Sequence, residues 1–203
     1  MAGTWENQNK VIPGAYINIR TNTPLSITAG DRGTVVIAQE FSKGTDASLY
    51  EITASEMNYP EGATVADKKL AELALLGAKT VLLYKLPATH KDEAITAMLK
   101  TLKTVDFDVL VYPYAKSSTS SSTAQQTIAT WVKSMQDDEG KNVTAVLPNY
   151  EADSEYTINS VQGVTLSDGS TLTVYEAAAW VGGITAGASV TKSNTASEVH
   201  RCD

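Results

Sequence analysis

The residues best suited to chemistry are two histidines, a few acids and two glycine-containing segments. His90 and His200 are far apart and lack the spacing of a metal site or a Ser-His-Asp triad. We interpret His90 as a solvated residue at a helix start. Asp106, Asp108 and the acidic run 137–139 flank the ends of predicted strands and helices, where solvated carboxylates are common. The sequence therefore predicts no catalytic residue and no metal ligand.

Neither glycine-containing segment has the context of a cofactor site. A nucleotide site needs a glycine loop between a strand and the following helix, so that backbone amides meet phosphate. The segment 77–80 (GAKT) resembles half of such a loop, but it leads into a strand, and we interpret it as a helix end. The segment 182–187 (GGITAG) lies within a helix of small residues, where glycine favours close packing. We expect no cofactor.

Composition and charge limit the partners that the chain can bind. The net charge is −7, from 16 Lys and Arg against 23 Asp and Glu, so a nucleic-acid backbone or an anionic membrane is repelled. Hydrophobic residues make up 42% of the chain, as in proteins that fold around a core. The single cysteine, Cys202, fits a reducing compartment, and neither a signal peptide nor an apolar run of about 18 residues is present. We expect neither nucleic acid nor membrane as a partner.

Three predicted strands of nearly continuous apolar sequence alternate with amphipathic helices in the middle of the chain. The strands are residues 80–84, 107–112 and 143–147. The helices that join them start near Thr89 and at Ala124, and their predicted inward residues are Ile95, Met98, Leu99 and Leu102 in the first and Ile128, Trp131, Val132 and Met135 in the second. Because parallel neighbours need a helical crossover, the pattern predicts an α/β fold, with a mainly parallel sheet covered by helices on both faces.

The flanking segments extend this core. Strands are predicted at 33–41 and 49–53, and a capping box of Thr64 and Asp67 opens a helix that carries Leu70, Leu73 and Leu76. Further on, residues 163–174 predict a hairpin turning at Asp168-Gly169, and residues 175–189 a helix of small residues. We therefore place one α/β core domain at residues 21–190, followed by a polar tail at 191–203.

Residues 1–20 form an extended N-terminal β arm in this interpretation. Residues 1–13 have few large apolar groups to bury locally, and residues 15–20 (AYINIR) alternate as a strand does. Such a segment is suited to adding a strand to an open sheet edge of a neighbouring subunit. The predicted inter-subunit residues are Val11, Ile12, Tyr16, Ile17 and Ile19.

Short motifs in one order along nearly the whole chain resemble the phage contractile tail sheath family, in the branch of phages, prophages and tail-like bacteriocins of Gram-positive bacteria. The motifs are 3–18 (GTWENQNKVIPGAYIN), 31–37 (DRGTVVI), 80–86 (TVLLYKL), 107–109 (FDV), 138–141 (DEGK), 146–150 (VLPNY), 163–169 (GVTLSDG) and 177–188 (AAAWVGGITAGA). Each motif is weak alone, and their common order is what makes the resemblance specific.

The resemblance implies a structural subunit and not an enzyme. Such a subunit forms homo-oligomers, as hexameric rings in a helical stack around a tail tube protein, with a baseplate and a tail terminator at the ends. The stack shortens and drives the tube through a cell envelope. The implied location is the tail of a virion or a tail-like particle, assembled in the cytoplasm of the host bacterium.

Two departures from the family pattern bear on this expectation. Many relatives carry an extra β-rich domain after the strand 80–86, whereas here only Pro87-Ala88-Thr89 separates that strand from the next helix. Family members continue beyond the helix 175–189 into a C-terminal domain that receives the arms of neighbours, so we expect either a short product or part of a longer polypeptide. The alternative function is a small-molecule-binding or nucleotide-binding α/β domain, which is expected to be monomeric and to gain thermal stability with its ligand.

Overall fold

A six-stranded, mostly parallel sheet forms the centre of the computed structural model, which describes residues 32–114, 123–165 and 169–188. Its strands are β1 (Thr34–Glu40), β2 (Leu49–Thr53), β3 (Thr80–Leu86), β4 (Val109–Val111), β5 (Thr144–Pro148) and β6 (Thr157–Ser160). They lie in the order β2-β3-β1-β4-β5-β6, and only the pairing of β2 with β3 is antiparallel. The predicted mainly parallel sheet is confirmed.

Helices cover both faces of this sheet, as predicted. The helices are α1 (Val65–Leu75), α2 (Asp92–Leu102), α3 (Ala124–Asp137) and α4 (Val174–Ala186). Helices α1 and α4 pack on one face, and α2 and α3 pack on the other. Strand β1 supplies both cores, because Val35 and Ile37 point to the first face while Val36 and Ala38 point to the second.

The predicted inward faces of α2 and α3 are confirmed with one difference. All four predicted residues of α2 are buried, and in α3 Ile128, Val132 and Met135 are buried. Trp131 stays partly exposed, and its ring stacks on that of Phe107 with the ring centroids 6.4 Å apart. The difference arises because an indole at the border of the core can cover apolar surface while one side faces water.

Small residues make the contact between α1 and α4. A Cβ atom on Gly183 would lie 2.9 Å from Ala74 Cα and would overlap the carbonyl oxygen of Ala74. The apolar residues of α1 that face inward are Ala71, Ala74 and Leu75. The leucines that the sequence pattern places on the apolar stripe are only half-buried, namely Leu70, Leu73 and Leu76. Large side chains cannot lie between two helix backbones that touch, so α1 turns its alanines toward α4.

The C-terminal part contains the predicted hairpin and helix and also a strand that the sequence did not indicate. Strands β7 (Val164–Thr165) and β8 (Thr171–Leu172) pair antiparallel, and Gly169 in the connection has a positive φ of 81°. The unpredicted strand is β6, which pairs in parallel with β5. Its sequence, TINS, is short and mostly polar, so it carries none of the hydrophobic pattern of a buried strand.

Several predictions concern residues outside the described ranges. They are the arm at residues 1–20 with its five inter-subunit positions, the turn residue Asp168 and the polar tail at 191–203. These stay predictions, as do the proposed domain boundaries. Among the described residues, no helix is long and apolar enough to span a membrane, and no group of three or more His, Cys, Asp or Glu side chains could hold a metal ion.

Candidate functional site

The place where the fold would hold a ligand is the carboxyl edge of the sheet beside β1. Strand β1 lies between β3 and β4: the chain passes from β1 through β2 and α1 to β3 on one side, and from β3 through α2 to β4 on the other side. In open α/β sheets ligands bind at such a topological switch point, outside the carboxyl ends of the strands. Polar and aromatic side chains from the ends of β1, β3 and β4 gather there, so we take this group as the candidate site.

On the face covered by α2 and α3, the site is a cluster of one histidine, two tyrosines and one glutamate. The ring centroid of His90 lies 5.9 Å from that of Tyr112 and 4.9 Å from that of Tyr114. The ring centroids of the two tyrosines lie 5.4 Å apart. The hydroxyl of Tyr114 accepts a hydrogen bond of 2.6 Å from the backbone amide of Glu40. We call these four residues the His90 cluster.

The structure contradicts the prediction that the side chain of His90 is solvated. Its exposed fraction is 0%, because the connection between β3 and α2 turns the imidazole under the ends of β1 and β4. Tyr112 and Tyr114 continue the alternation of Leu110 past the end of β4, which is a signal for ring burial on that face. No local pattern indicates that His90 is the residue packed between them, since that contact joins segments more than 20 positions apart.

Burial governs the ionisation of the cluster. Burial lowers the pKa of His90, and the charge of Lys91 acts in the same direction, while the Pro87 carbonyl and the Glu40 carboxylate act against it. Burial raises the pKa values of Tyr112 and Tyr114 well above the usual range. At neutral pH the cluster therefore contains a neutral imidazole and two neutral phenols beside one carboxylate.

On the opposite face of the sheet, the site is occupied by the carboxylate of Asp67, in the first turn of α1. Asp67 Oδ2 accepts hydrogen bonds from the Thr64 amide at 2.8 Å and the Ser42 hydroxyl at 2.6 Å, and the Thr64 hydroxyl accepts from the Asp67 amide in return. This is the predicted capping box. The carboxamide nitrogen of the buried Gln39 donates to the Asp67 carbonyl at 2.6 Å, which fastens α1 to the end of β1.

Replacing Asp67 by alanine should lower the free energy of unfolding at pH 7 by about 1–2 kcal/mol, the usual cost of a lost cap that also leaves donors unpaired. Burial alone would raise the pKa of Asp67, but the hydrogen bonds from Ser42 and Thr64 outweigh it and hold the pKa below its usual value. The contribution is therefore present above about pH 4 and is lost as the pH falls through the lower, folded pKa.

Urea denaturation at pH 7 and pH 3 measures this difference for the parent and the variant. Glu61→Ala, in the exposed turn before α1, is the matched control and should change stability little at either pH. Equal stability of the parent and D67A at pH 7, or an undiminished gap at pH 3, would contradict the role assigned to the carboxylate.

Carboxylates at helix starts make three of the four described helices unsuited to binding phosphate. Asp67 in α1 and Glu176 in α4 each complete a capping box, and Asp92 and Glu93 lie in the first turn of α2. A phosphate is attracted to a helix N-terminus by free amides and a positive dipole end. Here the negative charge is already supplied by the protein, which disfavours the nucleotide-binding alternative at these positions.

The glycine segments behave as the sequence analysis interpreted them. Helix α1 ends at Leu75, with Leu76 as its C-cap, and the segment 77–80 continues directly into β3. A Cβ atom on Gly77 would lie 2.7 Å from Ile184 Cα in α4. Gly182 and Gly183 sit inside α4 against β4 and α1, so the glycines serve close packing of backbones.

Comparison with known proteins supplies an independent line of evidence. Residues 88–201, more than half of the chain, match the family model described as the phage tail sheath protein central domain. The chain is 37% identical over 100 residues, 49% of its length, to the phage-like element PBSX protein XkdK of Bacillus subtilis. It is 28% identical over 132 residues, 62% of its length, to the tail sheath protein of Clostridium phage phiCD119.

The fold also matches a solved structure. The sheath tail protein of Desulfitobacterium hafniense superposes with a TM-score of 0.69 at 23% identity, covering 89% of this chain and 64% of that one. At this identity the likeness concerns the fold. The matched part of the chain corresponds to 21% of the Bacillus subtilis relative and to 35% of the phage protein, so it spans well under half of these relatives.

Proposed function

The chain belongs to the phage tail sheath family, and from that membership we propose that it polymerises with copies of itself as stacked hexameric rings around a tail tube. Contraction of this stack drives the tube through a cell envelope. The observation that carries the proposal is the family match over residues 88–201. Within the proposal the subunit acts mechanically and catalyses no reaction.

The geometry of the described residues is compatible with a mechanical role. The carboxyl edge of the sheet, where an α/β protein would bind a ligand, is filled by the His90 cluster on one face and by Asp67 and its donors on the other. The helices on both sides pack tightly enough to make one body. Such a body suits a repeating unit whose contacts lie on its surface and in its arm.

The proposed partners follow from the same membership. Copies of the chain are the first partner, the tail tube protein lies inside the stack, and the baseplate and tail terminator lie at its ends. The site of action is the tail of a virion or a tail-like particle, after assembly in the host bacterium. The predicted arm, with Val11, Ile12, Tyr16, Ile17 and Ile19, would join one copy to the next by adding a strand to its sheet.

Negative-stain microscopy combined with light scattering tests the proposal on the purified chain. We expect rings, tubes or higher oligomers whose mass grows with protein concentration. The competing function, a small-molecule-binding or nucleotide-binding domain, is tested in parallel by thermal denaturation with ATP and with NAD⁺ at millimolar concentration. A monomer at every concentration that gains several degrees with either ligand would overturn the sheath assignment.

A further inference from the structure

His90 is the single buried anchor of the connection between β3 and α2. The neighbouring residues Ala88, Thr89 and Lys91 are exposed, and so are the first two residues of α2, whereas the imidazole is fully buried. The next buried side chain along the chain is Ile95, one turn into the helix. Among the side chains of this connection, the His90 ring is therefore the one that is fully buried against the sheet.

The described contacts of this ring provide acceptors for a proton on one nitrogen but not on the other. Nδ1 lies 3.3 Å from the Pro87 carbonyl oxygen and 3.3 Å from Glu40 Oε1, so a proton on Nδ1 has an acceptor. Nε2 is buried and has no hydrogen-bond partner among the residues that the structure describes. A neutral imidazole leaves only a lone pair unpaired there, but a second proton would bury both an N–H without an acceptor and a positive charge.

The groups around the ring stabilise its protonated form only weakly. Among the described residues, Glu40 at the end of β1 is the carboxylate that favours the imidazolium, and its side chain is 37% exposed to water. Lys91 opposes the imidazolium, and Tyr112 and Tyr114 after β4 are neutral phenols. From α1, the negative charge of Asp67 acts on Tyr114 and helps to raise the pKa of its phenol. One partly exposed carboxylate does not compensate for the hydration that a protonated imidazole loses when it is buried.

We propose that His90 is a pH-sensitive latch, and that protonation of its ring releases the connection between Pro87 and Lys91 from the His90 cluster while the sheet stays folded. Release brings the imidazolium into water and uncovers Tyr112, which is 1% exposed in the closed form. The change begins as the pH falls below about 6.5, the value of an exposed imidazole. The latch is independent of the proposed assembly, because it rests on packing within one subunit.

Hydrogen exchange tests the latch on the intact chain between pH 7.5 and pH 5.0, with rates corrected for the intrinsic effect of pH. The opening constant of residues 87–91 should rise as the pH falls, by up to about tenfold for each pKa unit between the exposed and buried imidazole. Exchange in β1 should rise much less. A constant that stays unchanged over this range overturns the proposal.

Two variants separate titration of His90 from other effects of acid. His90→Phe keeps an aromatic ring in the cluster but cannot gain a proton, so the opening constant should become independent of pH. His200→Gln, at the only other histidine, should behave as the parent chain does. A pH dependence that persists in H90F, or one that disappears in H200Q, overturns the proposal.

A third variant covers the case in which H90F does not fold. Glu40→Gln removes the carboxylate that favours the protonated ring, while the backbone amide that donates to Tyr114 remains. The midpoint of release should then move to lower pH, and the direct titration of His90 followed by NMR should move with it. A midpoint that stays in place or moves to higher pH contradicts the latch.

Discussion

Replacing Gly183 by alanine should lower the free energy of unfolding by about 3 kcal/mol, at the upper end of the usual cost of overpacking. In an open helix the same change stabilises by about 1 kcal/mol, because alanine has the higher helix propensity. Here the new methyl group would overlap the Ala74 carbonyl oxygen and lie 2.9 Å from Ala74 Cα. Both are backbone atoms, so relief requires moving α4 away from α1. Urea denaturation measures the loss.

Gly182 is the matched control, because it is the next residue of the same helix. A methyl group there would overlap a methyl group of Val111 in β4, which is a side-chain atom. Val111→Ala should therefore partly rescue Gly182→Ala, with a favourable coupling of about 1 kcal/mol in a double-mutant cycle. No side-chain truncation offers the same relief to G183A. Unchanged stability of G183A would show that the two helices are not held backbone to backbone.

Deleting residues 1–19 should abolish association with other copies of the chain, or with the C-terminal domain of the family, while leaving a folded body. The sheet and both helical layers are built from residues 34–186, so the deletion removes none of the described core. The deleted segment holds the predicted strand that would pair with a neighbour by main-chain hydrogen bonds. Light scattering reports the mass, and circular dichroism reports the fold. The expected result is a monomer with the secondary structure of the parent.

A point variant distinguishes strand addition from a general effect of shortening the chain. Ile17→Pro removes one backbone donor in the middle of the predicted strand and should weaken association by at least about tenfold. Ile17→Val keeps the donor and the β-branched side chain, and should associate as the parent does. Unchanged association in both the deletion and I17P would exclude the arm as the link between subunits.

The part of the fold that could be predicted is the part specified by local pattern. In α2, the spacing of Ile95, Met98, Leu99 and Leu102 identified the buried face because large apolar residues were available to fill it. The capping box of Thr64 and Asp67 is likewise local, since its partners are three residues apart. Three apolar strands joined by two such helices left a parallel sheet as the simplest arrangement.

The parts that the sequence did not reveal depend on contacts between distant segments. Strand β6 forms because Ala145 and Asn149 bond to Tyr156 and Ser160, and a polar strand at a sheet edge has no hydrophobic period to detect. The burial of His90 depends on tyrosines more than 20 residues away. The predicted arm rests on the sequence pattern, and the association experiment tests it.

The contact between α1 and α4 has a mechanical consequence. Where two backbones meet with no side chain between them, no rotamer change can absorb a displacement, so the helices cannot slide without losing the contact. The ion pair of Lys69 with Glu176, 2.5 Å long, ties the same two helices near their starts. Force applied to one helix is then transmitted to the other and to the strands beneath. In a lattice whose subunits change spacing, deformation would concentrate in the segments between these stiff bodies.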